Sequence, residues 1–316
     1  MELCRIPQLF GVEGGCSIAP LKTGHINSTY KVTAAGGVYI LQSLNRAIFR
    51  RPEDVMANIS SVQQAFESSG CNMAAVPEYL ISDGRNYAET DGEFWRMYRY
   101  IEPYETDGKD FITGYAFGTF IRVVDRVKLV PVIDGYHDFG WYYSRLRAIA
   151  PDGCIAPELS ELSGLLSSVF TSGIPRRNIH GDAKTDNIIT GERACIIDLD
   201  TVMCGYAALD FGDMIRSLST GSQPDLNRIE AAAKGFAEGL DGLLTSDEVS
   251  TLYYGILWTT GELAVRYLTD SMSREKYFRG KTSQECRDRA GELLGQLRMF
   301  LSLRGEIEDI IERSFG

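Results

Sequence analysis

The sequence predicts an α+β protein in two unequal lobes, a small antiparallel-sheet lobe over residues 1–102 and a larger, mainly helical lobe over 103–316. Three observations predict it. Up to Pro103 the apolar residues largely alternate, as in strands with one buried face. Beyond Pro103 they recur at helical spacing. A stretch over 178–200, NIHGDAKTDNIITGERACIIDLD, then interrupts the helical half with the composition of polar loops carried on buried strands. The change of period sets the lobe boundary between 102 and 104.

Taken in order, residues 24–43 read as a polar turn, a strand, a turn at Gly36 and Gly37, and a second strand. In that second strand Tyr39, Leu41 and Ser43 alternate with Val38, Ile40 and Gln42, and the glycines allow positive φ. Pro52 suits the first position of a helix over 52–67, with Val55, Ile59, Val62 and Phe66 on one face. Strand-like runs follow at 76–82, 86–90 and 93–103, separated by turns at Asp83-Gly84 and Asp91-Gly92. The second lobe begins with helices over 111–127, 138–149 and 158–171. After the central stretch come helices near 206–219 and 225–240, a long one over 246–270, and a last one over 283–303. Thr245 with Glu248 three residues later is a capping box announcing the long helix. Trp95, Trp141 and Trp258 read as core.

Composition narrows the function classes. A net charge of −11 argues against binding nucleic acid through clustered Lys and Arg. No apolar run reaches the ~18 residues of a membrane span, and MELCRIPQLFGVEGG does not read as a secretory leader. Seven scattered cysteines without a C-x-x-C pair read as reduced thiols of a cytoplasmic protein.

The chemistry concentrates in the central stretch. Asp182 follows a short apolar strand, in a loop where its carboxylate could accept a proton from a hydroxyl nucleophile. Asn187 and Asp198 offer the hard oxygen donors that Mg²⁺ prefers. Lys184 could neutralise a phosphoryl group in transfer. Phosphoryl transfer asks a protein chiefly to position reactants and stabilise charge, so a base, two metal ligands and a cation form a nearly complete set. Asp and Asn also build turns through side-chain bonds to backbone. The joint pattern of His-Gly-Asp, an Asn five residues after that Asp, and a strand ending Ile-Ile-Asp favours the chemical reading. His180 reads as a residue that fixes the loop. On a continuing strand Asp200 would face the same side as Asp198, as a second metal contact or a structural link. Asp210 and Asp213 suit the N-terminal end of a helix.

These residues resemble the aminoglycoside phosphotransferase and choline kinase-like superfamily, whose fold is similar to that of protein kinases. Within it, GHINSTY, YILQSLN, HGDAKTDNII and IIDLDTVM followed by LDFGDMIR look most like the N-acetylhexosamine 1-kinases. The likeness runs over 24–216 and more weakly over 266–277. It implies transfer of the γ-phosphoryl group of ATP, with Mg²⁺, to the anomeric hydroxyl of N-acetylglucosamine or N-acetylgalactosamine. Asp182 is then the base, and Asn187 and Asp198 hold the metal. Gly24, His25, Asn27, Ser28 and Thr29 take the place of the phosphate-covering loop, from which His25 could also reach the sugar. Gln42 stands where protein kinases carry a lysine, so Mg²⁺ or a different cation, with Lys31 and Arg46 as candidates, is expected to carry more of the charge. Arg99, Tyr100 and Ile101 occupy the hinge that would meet adenine, or simply end a strand. Arg266 and Tyr277 match sugar-contacting positions, although Glu262, Arg266 and Asp270 also read as a solvated charge ladder on one helix face. The expected partners are ATP and a small sugar. An aminoglycoside, choline, homoserine or other sugar acceptor stays open, as does a catalytically silent nucleotide-binding protein suggested by Gln42.

Overall fold

The fold was analysed in a computed structural model describing residues 3–21, 26–151, 153–191, 193–219, 224–274, 276–278 and 280–316. In the first lobe, helix α1 (Ile6–Leu9) precedes β1 (Cys16–Leu21), β2 (Ser28–Ala34) and β3 (Gly37–Ser43). Helix α2 (Pro52–Ser69) follows, then β4 (Ala74–Ala75), β5 (Ala88–Thr90) and β6 (Glu93–Arg99). Five of these strands form one antiparallel sheet in the order β1-β2-β3-β6-β5.

The second lobe opens with α3 (Lys109–Val124), α4 (Phe139–Ile149) and α5 (Pro157–Val169). Short strands β7 (Arg177–Ile179), β8 (Ile188–Ile189), β9 (Ala194–Ile196) and β10 (Met203–Gly205) carry the central stretch. Then come α6 (Ala207–Leu218), α7 (Leu226–Leu240), α8 (Ser246–Ser250), α9 (Leu252–Met272), α10 (Ser283–Ser302) and α11 (Arg304–Phe315). β4 reaches across from the first lobe to pair in parallel with β9. The mixed α+β architecture, sheet first and helices after, is the predicted one.

The differences have local causes. β1 is absent from the sequence reading because it is a short edge strand containing Pro20, whose alternation is confined to Cys16 and Ile18. The run over 76–82 makes only isolated bridges, Tyr79 to Tyr98 and Ser82 to Arg85. In the hairpin Ala34 pairs with Gly37, so the tight turn is Ala35-Gly36, and Gly37 opens β3 at φ +132. The helix expected over 246–270 breaks at Thr251, whose hydroxyl donates to Glu248 O at 2.6 Å and competes with the helical ladder. The unanticipated α11 buries Ile307, Ile310 and Ile311 at helical spacing. Trp141, expected in the core, is 41% exposed and stacked under Arg145.

The two faces of the sheet bury different clusters. Leu41, Trp95 and Met97 pack with Ile6 and Phe10. Ile40, Phe94 and Tyr98 face α2 and join a core that continues through Ile59, Phe117, Ile179 and Phe211 to Ile256. Helices α6 and α9 meet at Gly212 and Gly255, where a Cβ on Gly255 would lie 1.8 Å from Ala208 O. That close approach seats α9 directly on α6. No helix among the described residues is long and apolar enough to cross a membrane.

Candidate active site

β7 delivers the loop that carries Asp182. Its start is fixed by Asp210, at the N-terminal end of α6, whose carboxylate accepts the N–H groups of His180 at 2.7 Å and Gly181 at 2.8 Å. His180 is fully buried between the edges of Phe117 and Phe120. Its Nδ1 accepts the Asp182 N–H at 3.2 Å, so Nε2 carries the proton donated to Ile197 O at 2.9 Å. His180 and Asp210 thus hold the loop from below, while Asp213 pairs with Arg216 at 2.7 Å.

The Asp182 carboxylate takes its side-chain bonds on one oxygen. Lys184 Nζ donates to Oδ2 at 2.6 Å and Asn187 Nδ2 at 3.0 Å. Among the described residues Oδ1 is left as the oxygen able to take a proton. Burial opposes ionisation, but the Lys184 ammonium and the Asn187 hydrogen bond outweigh it and hold the carboxyl below its ordinary value. Asn187 Nδ2 also donates to Asp182 O at 2.8 Å, so its donor side is spent and its carbonyl is the group free to meet a cation.

Asp198 joins this group by way of Ile197 N, which donates to Asn187 O at 2.9 Å. The strand predicted to continue through Asp198 and Asp200 instead stops at Ile196. Asp198 is left-handed at φ +62, and a 3₁₀ turn spans Leu199–Thr201. Burial, then Asp200 and Asp182, push the Asp198 carboxyl up to about 6. This surplus of negative charge suits a divalent cation. No group of three or more His, Cys, Asp or Glu side chains among the described residues forms a metal cage. Mg²⁺ is commonly held by one or two carboxylates with substrate phosphates and water.

The sheet lobe contributes a polar row that sequence reading missed in part. Thr29, Gln42 and Arg96 are direct cross-strand neighbours on β2, β3 and β6, and therefore share one face. Gln42 Nε2 donates to Thr29 Oγ1 at 3.2 Å, and Arg96 Nε donates to Gln42 Oε1 at 2.9 Å. Arg96 Nη1 bonds Asp200 Oδ1, while Asn27 Nδ2 donates to Asp200 Oδ2 at 2.6 Å. Asp200 is therefore a link between the lobes. The cation in contact with Gln42 is Arg96, which the sequence reading did not name. Lys31 lies 4.2 Å over the Tyr100 ring, and Arg46 is surface-bound to Gly92 O at 3.1 Å. One signal for Arg96 was available: a lone arginine inside the apolar run FWRMY.

At the end of β6, Tyr100 N donates to Val38 O at 2.9 Å and the Arg99 guanidinium lies over Tyr39. Ile101 follows outside the sheet. Gly24 and His25 lie outside the described residues.

On the helical side, the Arg266 guanidinium sits 4.3 Å from the Tyr277 ring centroid, 5.2 Å from Tyr142 and 5.7 Å from Tyr136. Burial disfavours its charge, but the Glu262 carboxylate and the tyrosine ring faces favour the guanidinium. Its Nε is buried without a hydrogen-bond partner. The expected solvated ladder is not what forms, because Glu262 and Asp270 are buried too. Glu262 lies 3.7 Å from Arg266 and accepts from Trp258 Nε1 at 3.1 Å, while Asp270 accepts the Phe278 N–H at 2.7 Å. His137 joins Glu262 at 3.3 Å to Gly181 O at 2.8 Å, which connects this box to the catalytic loop. Asp182 also bears electrostatically on Tyr136. Neither His137 nor Tyr136 was singled out by the sequence, whose long loop between α3 and α4 carries no local signature.

A sheet lobe and a helical lobe meeting over such a loop define a kinase-like phosphotransferase fold. The chain belongs to the phosphotransferase enzyme family, whose sequence profile matches residues 17–243. Among solved structures it is similar to a microcompartment-associated aminopropanol kinase, with TM-score 0.68 and 16% identity over 96% of this chain and 97% of the other. It is also similar to amicoumacin kinase in complex with AMP-PNP, Ca²⁺ and Ami, with TM-score 0.63 and 14% identity over 92% and 88%. A third likeness is to Plasmodium vivax ethanolamine kinase, with TM-score 0.59 and 12% identity over 94% and 85%. At these identities the likeness is one of fold.

Proposed function

We propose that this phosphotransferase is a Mg-ATP-dependent kinase whose acceptor is the anomeric hydroxyl of an N-acetylhexosamine, giving a sugar 1-phosphate and ADP. The observation that carries the catalytic part is the Asp182 carboxylate, held ionised with both side-chain donors on one oxygen and the other left to accept the hydroxyl proton. Lys184 lies beside it to offset phosphoryl charge. Asn187 and Asp198 would hold Mg²⁺, which neutralises charge on the phosphates when bound. Asn27, Thr29 and Gln42, with Gly24 and His25, would cover the phosphates, with Arg96 as the nearby fixed cation. Arg99, Tyr100 and Ile101 would form the adenine edge of a nucleotide lobe over 1–102, with the acceptor on the lobe over 103–316. The AMP-PNP and Ca²⁺ bound to amicoumacin kinase support the nucleotide and divalent-cation assignments.

The acceptor assignment rests on Arg266 and Tyr277. Aromatic boxes attract ammonium groups through their ring faces. Here the box is already filled by the guanidinium of Arg266, so a cationic acceptor would meet a buried positive charge. A neutral sugar bearing an acetamido carbonyl meets instead a planar set of N–H donors. His25 would approach the same sugar from the covering loop.

Incubation with Mg-ATP and N-acetylglucosamine or N-acetylgalactosamine should yield a product whose anomeric proton couples to phosphorus. Phosphorylation at another hydroxyl would overturn the regiochemistry. Turnover only with aminopropanol, ethanolamine, choline or an aminoglycoside would overturn the sugar, and absence of any ADP release would favour a silent nucleotide-binding protein.

A further inference from the structure

His137 stands where the acceptor-side box meets the catalytic loop. It adopts the left-handed conformation at φ +57, which non-glycine residues seldom adopt, in the segment entering α4. Its ring lies between two acceptors from different parts of the fold: Nε2 is 2.8 Å from Gly181 O and Nδ1 is 3.3 Å from Glu262 Oε2 on α9. A neutral imidazole has one N–H and can satisfy only one of them, whereas the imidazolium satisfies both.

The Gly181 carbonyl belongs to the peptide plane that joins Gly181 to Asp182. The rest of that turn is already held. Gly181 N–H goes to Asp210 and Asp182 N–H to His180, and a Cβ at Gly181 would lie 2.5 Å from Thr201 O. Among the described residues, His137 is what holds the carbonyl edge of the plane. Behind it, Glu262 is bound by Trp258 and faces Arg266, so the His137 ring is anchored on the acceptor side.

We propose that His137 is a positioning residue, a charged clamp that sets the orientation of the Asp182 peptide from the acceptor side through its contact with Glu262. The proposal rests on Asp182 being the base. The charged and titratable groups facing the clamp are Glu262 from α9, Asp210 and Asp213 from α6, and the neighbouring Tyr136, with Arg266 acting on Glu262 and Asp182 on Tyr136. Burial disfavours the imidazolium, but Glu262 and the Gly181 carbonyl outweigh it and push the group up to about 9. The clamp is therefore closed below that pH and released as pH rises through it.

With only three histidines in the chain, ring ¹⁵N NMR assigned through His137→Gln reads this directly. The parental His137 should remain protonated at pH 8, and Glu262→Gln should move its midpoint toward the ordinary value. In His137→Gln, which retains a donor without the charge, amides over 180–187 should exchange faster. ADP release from Mg-ATP with N-acetylglucosamine should then show kcat lowered roughly 10- to 10²-fold, KM for ATP unchanged and no His137-dependent alkaline limb. A parental His137 titrating near the ordinary ~6.5 would overturn the proposal. So would His137→Gln with parental loop exchange. If no sugar is turned over, the acceptor reading fails while the NMR and exchange measurements still decide the clamp. If His137→Gln does not fold, the parental titration and Glu262→Gln decide it.

Discussion

At the residue scale, the roles of Asp182 and Asp198 separate by what each neighbour does to its charge. Lys184 and Asn187 keep Asp182 ionised against its burial, whereas burial, Asp200 and Asp182 raise Asp198 by more than Lys184 and Arg96 lower it. Asp182→Asn should lower kcat by roughly 10² to 10⁴ while leaving nucleotide binding in place. Single-turnover rates together with a nucleotide titration check both halves, and an unchanged kcat would remove Asp182 from the mechanism. Asp198→Ala should raise the Mg²⁺ concentration needed for half-maximal rate. A parental metal titration in that variant would contradict the ligand assignment. Arg96 and Asp200 are almost wholly buried together, so Arg96→Met should destabilise by about 3–5 kcal/mol by stranding a carboxylate. Adding Asp200→Asn should restore much of that in denaturant unfolding. Additive losses would mean the pair is not coupled.

Elements carry these residues into register. β7 leads into the catalytic loop, and its Arg177 is bound by Glu248 through Nε at 2.8 Å and Nη2 at 2.9 Å. Glu248 also closes the capping box of α8 by accepting Thr245 N at 2.9 Å. One carboxylate thus ties the α8 cap to the strand that delivers Asp182. Burial raises the Glu248 carboxyl, but Arg177 and Thr245 bring it below its ordinary value. A depressed folded-state value adds stability above the ordinary ~4.3 and loses it as pH falls through the depressed value. Glu248→Gln should therefore lower Tm at pH 7, and the gap from the parent should close toward pH 3. A gap of constant size across that range would show that the charge is not what stabilises.

For the whole molecule, the two lobes share a core and polar or backbone ties that include β4 on β9, Arg96 and Asn27 on Asp200, and Asn58 on Val130. Such a shared core predicts one cooperative unfolding transition in calorimetry, with equal calorimetric and van't Hoff enthalpies. Two resolved transitions would mean that the lobes melt separately.

The fold class and the central chemical set were legible in the sequence because both depend on short-range pattern. Alternation gives way to helical period after Pro103, and Asp182, Lys184, Asn187 and Asp198 lie in one stretch whose loops and short strands bring them together. Asp210 was read as helix-terminal, and the structure adds that it also holds the catalytic loop. The remaining site is long-range. Arg96 meets Asp200 only in the folded chain, and Arg266 is encased where Tyr136 and Tyr142 fold back on α9 to join Tyr277. His137 reads in the chain as an unremarkable histidine, since its partners Gly181 and Glu262 are distant in sequence. By itself the sequence determined which groups could carry out phosphoryl transfer, because their spacing is local. Only the tertiary structure decided that Arg96 pairs with Gln42 and Asp200 and that His137 meets Gly181, because burial and pairing partners are set by segments that meet only in the folded chain.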